Sequence, residues 1–136
     1  MKNLFLFLIV LFIPLMGMSQ ENSSAPDFYN VLAIQTCQDS LSEPSDTVIR
    51  RGIVEFSNAQ RYMEVTLDGY DPWKYVLIEH LSKKQNEGEY LWKIKNVANG
   101  ELFYLYVVVT LNDHSYVKWE IITPEFGFLR MFSKEI

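Results

Sequence analysis

The stretch Leu102–Leu111, LFYLYVVVTL, is apolar at almost every position and lies between the turn-forming pairs Asn99-Gly100 and Asn112-Asp113. A run of β-branched and aromatic residues with such borders reads as a strand. A strand with one wet face, however, shows a polar residue at every second place. The preceding segment, EYLWKIKN at 89–96, supplies the partner. Asn99-Gly100 suits a two-residue type I′ turn, because both central positions need positive φ. Counting back from that turn sets Ala98 against Glu101, Ile94 against Leu105, Trp92 against Val107 and Tyr90 against Val109. One face is then wholly apolar, with Phe103, Leu105, Val107, Val109 and Leu111 turned to a core. The other sets Lys95 by Tyr104 and Lys93 by Tyr106, where lysine stems lie along rings at the edge of water.

Working outward, the chain from Val48 reads as strands at 48–56, 61–67, 73–81, 89–97, 101–111, 116–123 and 127–134. The turns between them carry Ser57-Asn58, Asp68-Gly69 with Asp71-Pro72, Asn86-Glu87-Gly88, Asn99-Gly100, Asn112-Asp113, and Pro124 with Gly127. Connections this short make successive strands antiparallel neighbours. The fold class expected is mainly β: an antiparallel meander of about seven strands curled into a barrel or half-barrel, with a short N-terminal helix. A loop of three or five residues after Leu111 brings Trp119 and Ile121 to the core face. A loop at 68–72 matches Met63, Val65 and Leu67 with Trp73, Tyr75 and Leu77.

The N-terminus, MKNLFLFLIVLFIPLMGMSQ, has one Lys2 before an apolar run from Leu4 to Leu15 and small or polar residues at Gly17 and Ser19. That is the layout of a cleaved secretory signal. The run is short for a membrane span, which needs about 20 residues. The chain therefore divides into a signal peptide at 1–19, a polar lead-in at 20–47, and the antiparallel β domain at 48–136. The protein is expected to be exported, periplasmic or extracellular, with no membrane span after cleavage. Within the lead-in, Ser24 with Pro26 and Asp27 suits a helix start. Phe28, Val31, Leu32 and Gln35 give a partial helical stripe, while Val31, Ala33, Gln35 and Cys37 alternate acceptably with Leu32, Ile34 and Thr36 as a strand. A short helix at 26–37 is the expectation, packed over the outside of the sheet.

Loss of the signal, which carries Lys2 and no acid, takes the formal charge from −5 to −6. An acidic surface repels phosphate backbones, and no nucleic-acid partner is expected. The single Cys37 cannot make an internal disulfide, so packing alone must hold the domain. Asp68-Gly69-Tyr70-Asp71 lacks the further oxygen ligands of a calcium loop. Glu79 and His80, being adjacent in a strand, point to opposite faces. His114 sits in a turn. There is no phosphate-binding glycine loop and no nucleophile elbow, so neither cofactor, metal nor catalytic machinery is expected.

Three charges break the pattern. Parity from Tyr75 and Leu77 carries Glu79 inward, Arg50 shares parity with Val48, Val54 and Phe56, and Arg130 alternates with Phe128 and Phe132. A charge among large apolar side chains costs several kcal/mol unless it is paired. Such residues either pair, escape to solvent at frayed strand ends, or meet a ligand. In its last strand, Phe128-Leu129-Arg130-Met131-Phe132, the chain is similar to the intracellular fatty-acid-binding proteins and their lipocalin relatives. There an Arg-x-Tyr holds a carboxylate inside a meander barrel. This chain keeps the Arg without the Tyr, and it lacks the lipocalin Gly-x-Trp.

Two functions fit these readings. In one, the chain is a small exported non-enzymatic interaction protein, docking a partner or a second copy through an outer face with Tyr104, Tyr106 and Tyr116, beside Val108 and Ile122. In the other it is a lipocalin-like carrier. Tyr75, Trp92, Phe103 and Trp119 then line an interior for an apolar or amphipathic small molecule, Arg130 or Arg50 meets its anionic end, and Glu79 is a further candidate ligand contact.

Overall fold

A computed structural model describes residues 25–82, 88–110, 112–113 and 115–136, Ser82 by its backbone alone. The signal segment 1–19, Lys83-Lys84, Leu111 and His114 lie outside the described residues. Eight strands follow in order: β1 Asp27–Cys37, β2 Val48–Ser57, β3 Tyr62–Leu67, β4 Trp73–Ser82, β5 Glu89–Asn96, β6 Leu102–Val109, β7 Tyr116–Ile122 and β8 Phe128–Glu135. Each pairs antiparallel with its neighbours in sequence, and β1 pairs with β8 to close the barrel. Closure removes the sheet edges that an apolar strand such as β6 would otherwise offer to other chains. Among the described residues no helix is long and apolar enough to cross a membrane.

The segment 26–37 is strand rather than helix, and it supplies the first stave of the barrel. A β-bulge at Leu32 explains the ambiguity in its sequence. Val31 is fully buried and, past the bulge, Ile34 is buried too. The inward spacing of three mimics a helical stripe.

Elsewhere the inward faces alternate as expected. Val54 on β2, Met63, Val65 and Leu67 on β3, Tyr75 and Leu77 on β4, and Ile94 on β5 are buried. So are Leu105 and Val107 on β6, Val117, Trp119 and Ile121 on β7, and Met131 on β8. Each such side chain contributes about 1.5–3 kcal/mol on full burial. Two hairpins pair two residues away from the expected register. Ile94 faces Phe103 and Trp92 faces Leu105, because the turn after β5 is a four-residue one. In it Asn96 Oδ1 accepts from the amides of Ala98 (2.8 Å) and Asn99 (3.3 Å), and only Gly100 takes a positive φ, 74°. Met63 likewise faces Tyr75, and Val65 faces Trp73. A slip of two leaves every side chain on its original face. The β6–β7 connection is of the expected odd length, since the amide of Thr110 donates to the carbonyl of Tyr116 at 3.1 Å.

One end of the barrel is covered by the 38–47 connection. There Asp39 Oδ1 accepts from the amides of Leu41 and Ser42, each at 2.9 Å, which holds its carboxyl below the usual range, the Ser42 hydroxyl being the largest contributor. This strap packs on Gly127, where a Cβ would stand 2.1 Å from the carbonyl oxygen of Gln38. At the opposite end, where β1 begins and β8 finishes, the described residues leave the barrel interior uncovered.

Candidate functional site

At the open end the inward positions are ring-bearing. Tyr29 comes from β1, Phe56 from β2, His80 from β4, Tyr90 and Trp92 from β5, and Trp119 from β7. The rings form a continuous chain. Tyr29 meets Trp119 edge-on at 5.1 Å, Phe56 lies 5.4 Å from Trp119 and 6.3 Å from Trp92, and His80 stacks on Trp92 at 4.5 Å and approaches Tyr90 at 6.2 Å. Edge-on and offset contacts of this kind add about 0.5–1.5 kcal/mol each beyond burial. Tyr29, Phe56, Tyr90, Trp92 and Trp119 wall a cup of about 290 Å³, completed by Asp27, Asn58, Val107, Val109 and Val117, with His80 just outside it against Trp92. An adjoining hollow of about 570 Å³ shares Asn58 and Trp92 with it and is bounded further by Ala59, Arg61, Ile78, Glu79 and His80.

The floor is fixed by a buried relay. The Trp119 indole N–H donates to Ser133 Oγ at 2.8 Å, and the Ser133 hydroxyl donates to the carbonyl of Val117 at 2.7 Å. Both side chains are 2% exposed. Trp119 is thereby held in one orientation with its ring toward the cup. The Tyr29 hydroxyl is pushed up to about 12 by burial first, then by the charges of Asp27 and Glu135. It is a neutral hydrogen-bonding group throughout the physiological range.

Of the residues expected to meet a ligand, Trp92 and Trp119 are in the cup. Tyr75 is not: it lies in the packed half, its hydroxyl accepting from the Trp73 indole at 2.9 Å and its ring edge-on to Phe103 at 5.7 Å. Glu79 and Arg130 are displaced from the interior, whereas Arg50 keeps its inward parity at the strap end, its Nε buried without a hydrogen bond. Glu79 is exposed, because a bulge between Leu77 and Glu79 reverses the parity of β4 and turns His80 inward instead. His80 Nε2 is buried without a hydrogen bond.

Arg50 lies at the strap end, donating to the carbonyl of Asp68 at 3.0 Å and covering the Tyr70 ring at 5.4 Å. Arg130 is on the outer face, since Leu129, Met131 and Ser133 take the inward positions of β8. Its Nε donates to Glu120 at 2.9 Å, its Nη1 to Gln35 at 2.6 Å, and its guanidinium covers the Phe128 ring at 4.4 Å. The likeness to the carboxylate-holding arginine of the fatty-acid-binding proteins therefore fails on geometry.

The surface tyrosines are where the alternation placed them. Tyr104 and Tyr116 are 41% and 42% exposed, Tyr116 beneath the Lys134 ammonium at 5.3 Å. Tyr106 is half-buried, its hydroxyl pushed up by burial and by its hydrogen bond to Glu89.

Sequence reasoning missed Tyr29, Phe56, His80, Tyr90 and Asp27 as site residues. Tyr90 and Phe56 already carried inward parity; what marked them out was only their position at the same end as Trp92. Tyr29 and Asp27 were hidden by the helical reading and His80 by the bulge. Among the described residues there is no group of three His, Cys, Asp or Glu side chains able to hold a metal ion. Comparison of the chain with protein-family models, with curated proteins and with solved structures returns no match.

Proposed function

We propose that the chain is a small exported non-enzymatic binding protein that holds a compact apolar or amphipathic molecule in the open end of its barrel. The signal-like residues 1–19 support the export. One observation carries the binding: the packed half of the barrel gives way to a cup of about 290 Å³ walled by aromatic rings. A dry cavity of roughly 150 Å³ suffices for benzene, so this cup has room for a ring with substituents. Rigid rings preorganise the wall, so little conformational entropy is lost on binding. Glu79, the acid that an enzymatic reading would use, stands in solvent.

Native mass spectrometry of residues 20–136, purified from its own source, tests this. A reproducible added mass of metabolite size, lost on denaturation and absent from a Val109→Trp variant that fills the cup, is the expected result. No added mass in either protein, or the same mass in both, refutes the reading.

A second reading, docking of a protein partner or a second copy through the outer face, is favoured by the exposure of Tyr104 and Tyr116 around half-buried Tyr106. Tyr106→Glu would abolish that association and leave uptake into the cup unchanged.

A further inference from the structure

The residues around the cup say more about the ligand than that it is apolar. Six positions, Tyr29, Phe56, Tyr90, Trp92, Trp119 and the adjacent His80, present rings. Phenol, benzene and indole faces carry the negative side of a quadrupole, so a cage of them attracts a positive charge that has been stripped of water. The one ionisable group in the cup wall besides the tyrosines is Asp27, and neither Lys nor Arg lines it among the described residues. Arg61 belongs to the adjoining hollow, where Glu79 stands as well. Glu135, paired in register with Tyr29, adds a second carboxylate at the rim. Its charge and that of Asp27 are both felt at the Tyr29 hydroxyl. Arg130 is on the outside of the barrel and Arg50 at its other end.

We infer that the cup selects an organic cation, a quaternary ammonium or protonated amine joined to a small ring or alkyl group. This rests on the cup being the binding site, and it reverses the charge expected from the sequence. The rings receive the cationic head by cation–π attraction, Trp92 offering the strongest face and buried Trp119 backing the rings of Tyr29 and Phe56. Asp27 at the lip neutralises it without desolvating a carboxylate, because Asp27 remains exposed. An anion of the same size would meet the negative faces of the same rings and the charge of Asp27, with no Lys or Arg among the described wall residues to offset them.

The test uses three probes with one ring and different charge: benzyltrimethylammonium, benzyl alcohol and phenylacetate. They are titrated into the mature protein by calorimetry and by tryptophan fluorescence. The cation is expected to bind about tenfold more tightly than the alcohol, with phenylacetate weakest. Asp27→Asn is expected to weaken the cation by roughly threefold and leave the alcohol unchanged, a loss that added salt reproduces. If the alcohol binds as tightly as the cation, the charge preference is overturned and the cup stands. If none of the three binds at millimolar concentration, and native spectra show no bound mass, the cup itself is not the site and both readings fall.

Discussion

Ser133 is a small polar residue in the middle of an apolar face, and its replacement by Ala gives the sharpest test of how the cup is built. The substitution removes one hydroxyl that both accepts the Trp119 indole proton at 2.8 Å and donates to the Val117 carbonyl at 2.7 Å. Both side chains are 2% exposed, so the groups freed by the substitution stay largely shielded from solvent. An indole N–H left buried and unpaired costs about 1–3 kcal/mol, and the carbonyl loses a donor as well. We expect Ser133→Ala to lower stability by about 2–3 kcal/mol. At roughly 4 °C per kcal/mol for a domain of this size, that lowers Tm by about 8–12 °C.

The assay is urea unfolding followed by far-ultraviolet circular dichroism, with the slope m checked for constancy. The partner control is Trp119→Phe, which keeps a ring and removes the N–H. In that background Ser133→Ala should cost about 1 kcal/mol or less, leaving a coupling of about 1–2 kcal/mol. A loss under about 0.5 kcal/mol, or an equal loss in both backgrounds, refutes the relay.

Leu105→Ala, at a fully buried site in the packed half, should cost about 2–5 kcal/mol in the same assay while sparing probe binding. Arg130→Met breaks the outer pair with Glu120 and Gln35; we expect a loss of about 1–2 kcal/mol and unchanged uptake, and a lost ligand would return the arginine to the site. Tyr29, pushed up to about 12, keeps its proton longer in the folded than in the unfolded chain. Its contribution is therefore full below pH 10 and is lost as pH rises toward 12, so stability should fall less steeply over that window in Tyr29→Phe. Gly127→Ala drives a Cβ into the Gln38 carbonyl; unfolding should come about 3 kcal/mol sooner, with a normal Tm disproving the close contact.

The sequence made the barrel legible because parity is robust. The Asn99-Gly100 hairpin pairs Ile94 with Phe103 instead of Leu105, yet an even slip left every face correct. What it hid were odd events. The bulge at Leu32 changed the inward spacing of β1, and the one between Leu77 and Glu79 exchanged an acid for an imidazole at the rim. No residue type marks either bulge, since the extra residues, Leu32 and Ile78, are ordinary strand formers. On β8 both alternating sets are rich in large apolar residues. Hydrophobicity alone therefore favoured Phe128, Arg130 and Phe132 over Leu129, Met131 and Ser133. The deciding fact was Ser133, whose hydroxyl is needed by an indole two strands' width of sequence away. The cup was legible only as two tryptophans, because the rings that complete it come from strands far apart in the chain.

The seam between β1 and β8 has a consequence for the order in which the protein assembles. Seven of the eight strand pairings are hairpins between sequence neighbours. The eighth joins the ends of the chain, with the Arg130–Gln35 hydrogen bond spanning 95 residues. The largest single loop-closure cost falls on that step, and slow, non-local pairing sets the pace of folding. The amide of Ile136 already reaches the carbonyl of Phe28 at 3.0 Å. Tying those ends with a short linker and reopening the chain at 97–100 would turn the seam into a hairpin. The same barrel would then close fastest where it now closes last, and the β5–β6 pair would inherit the wait.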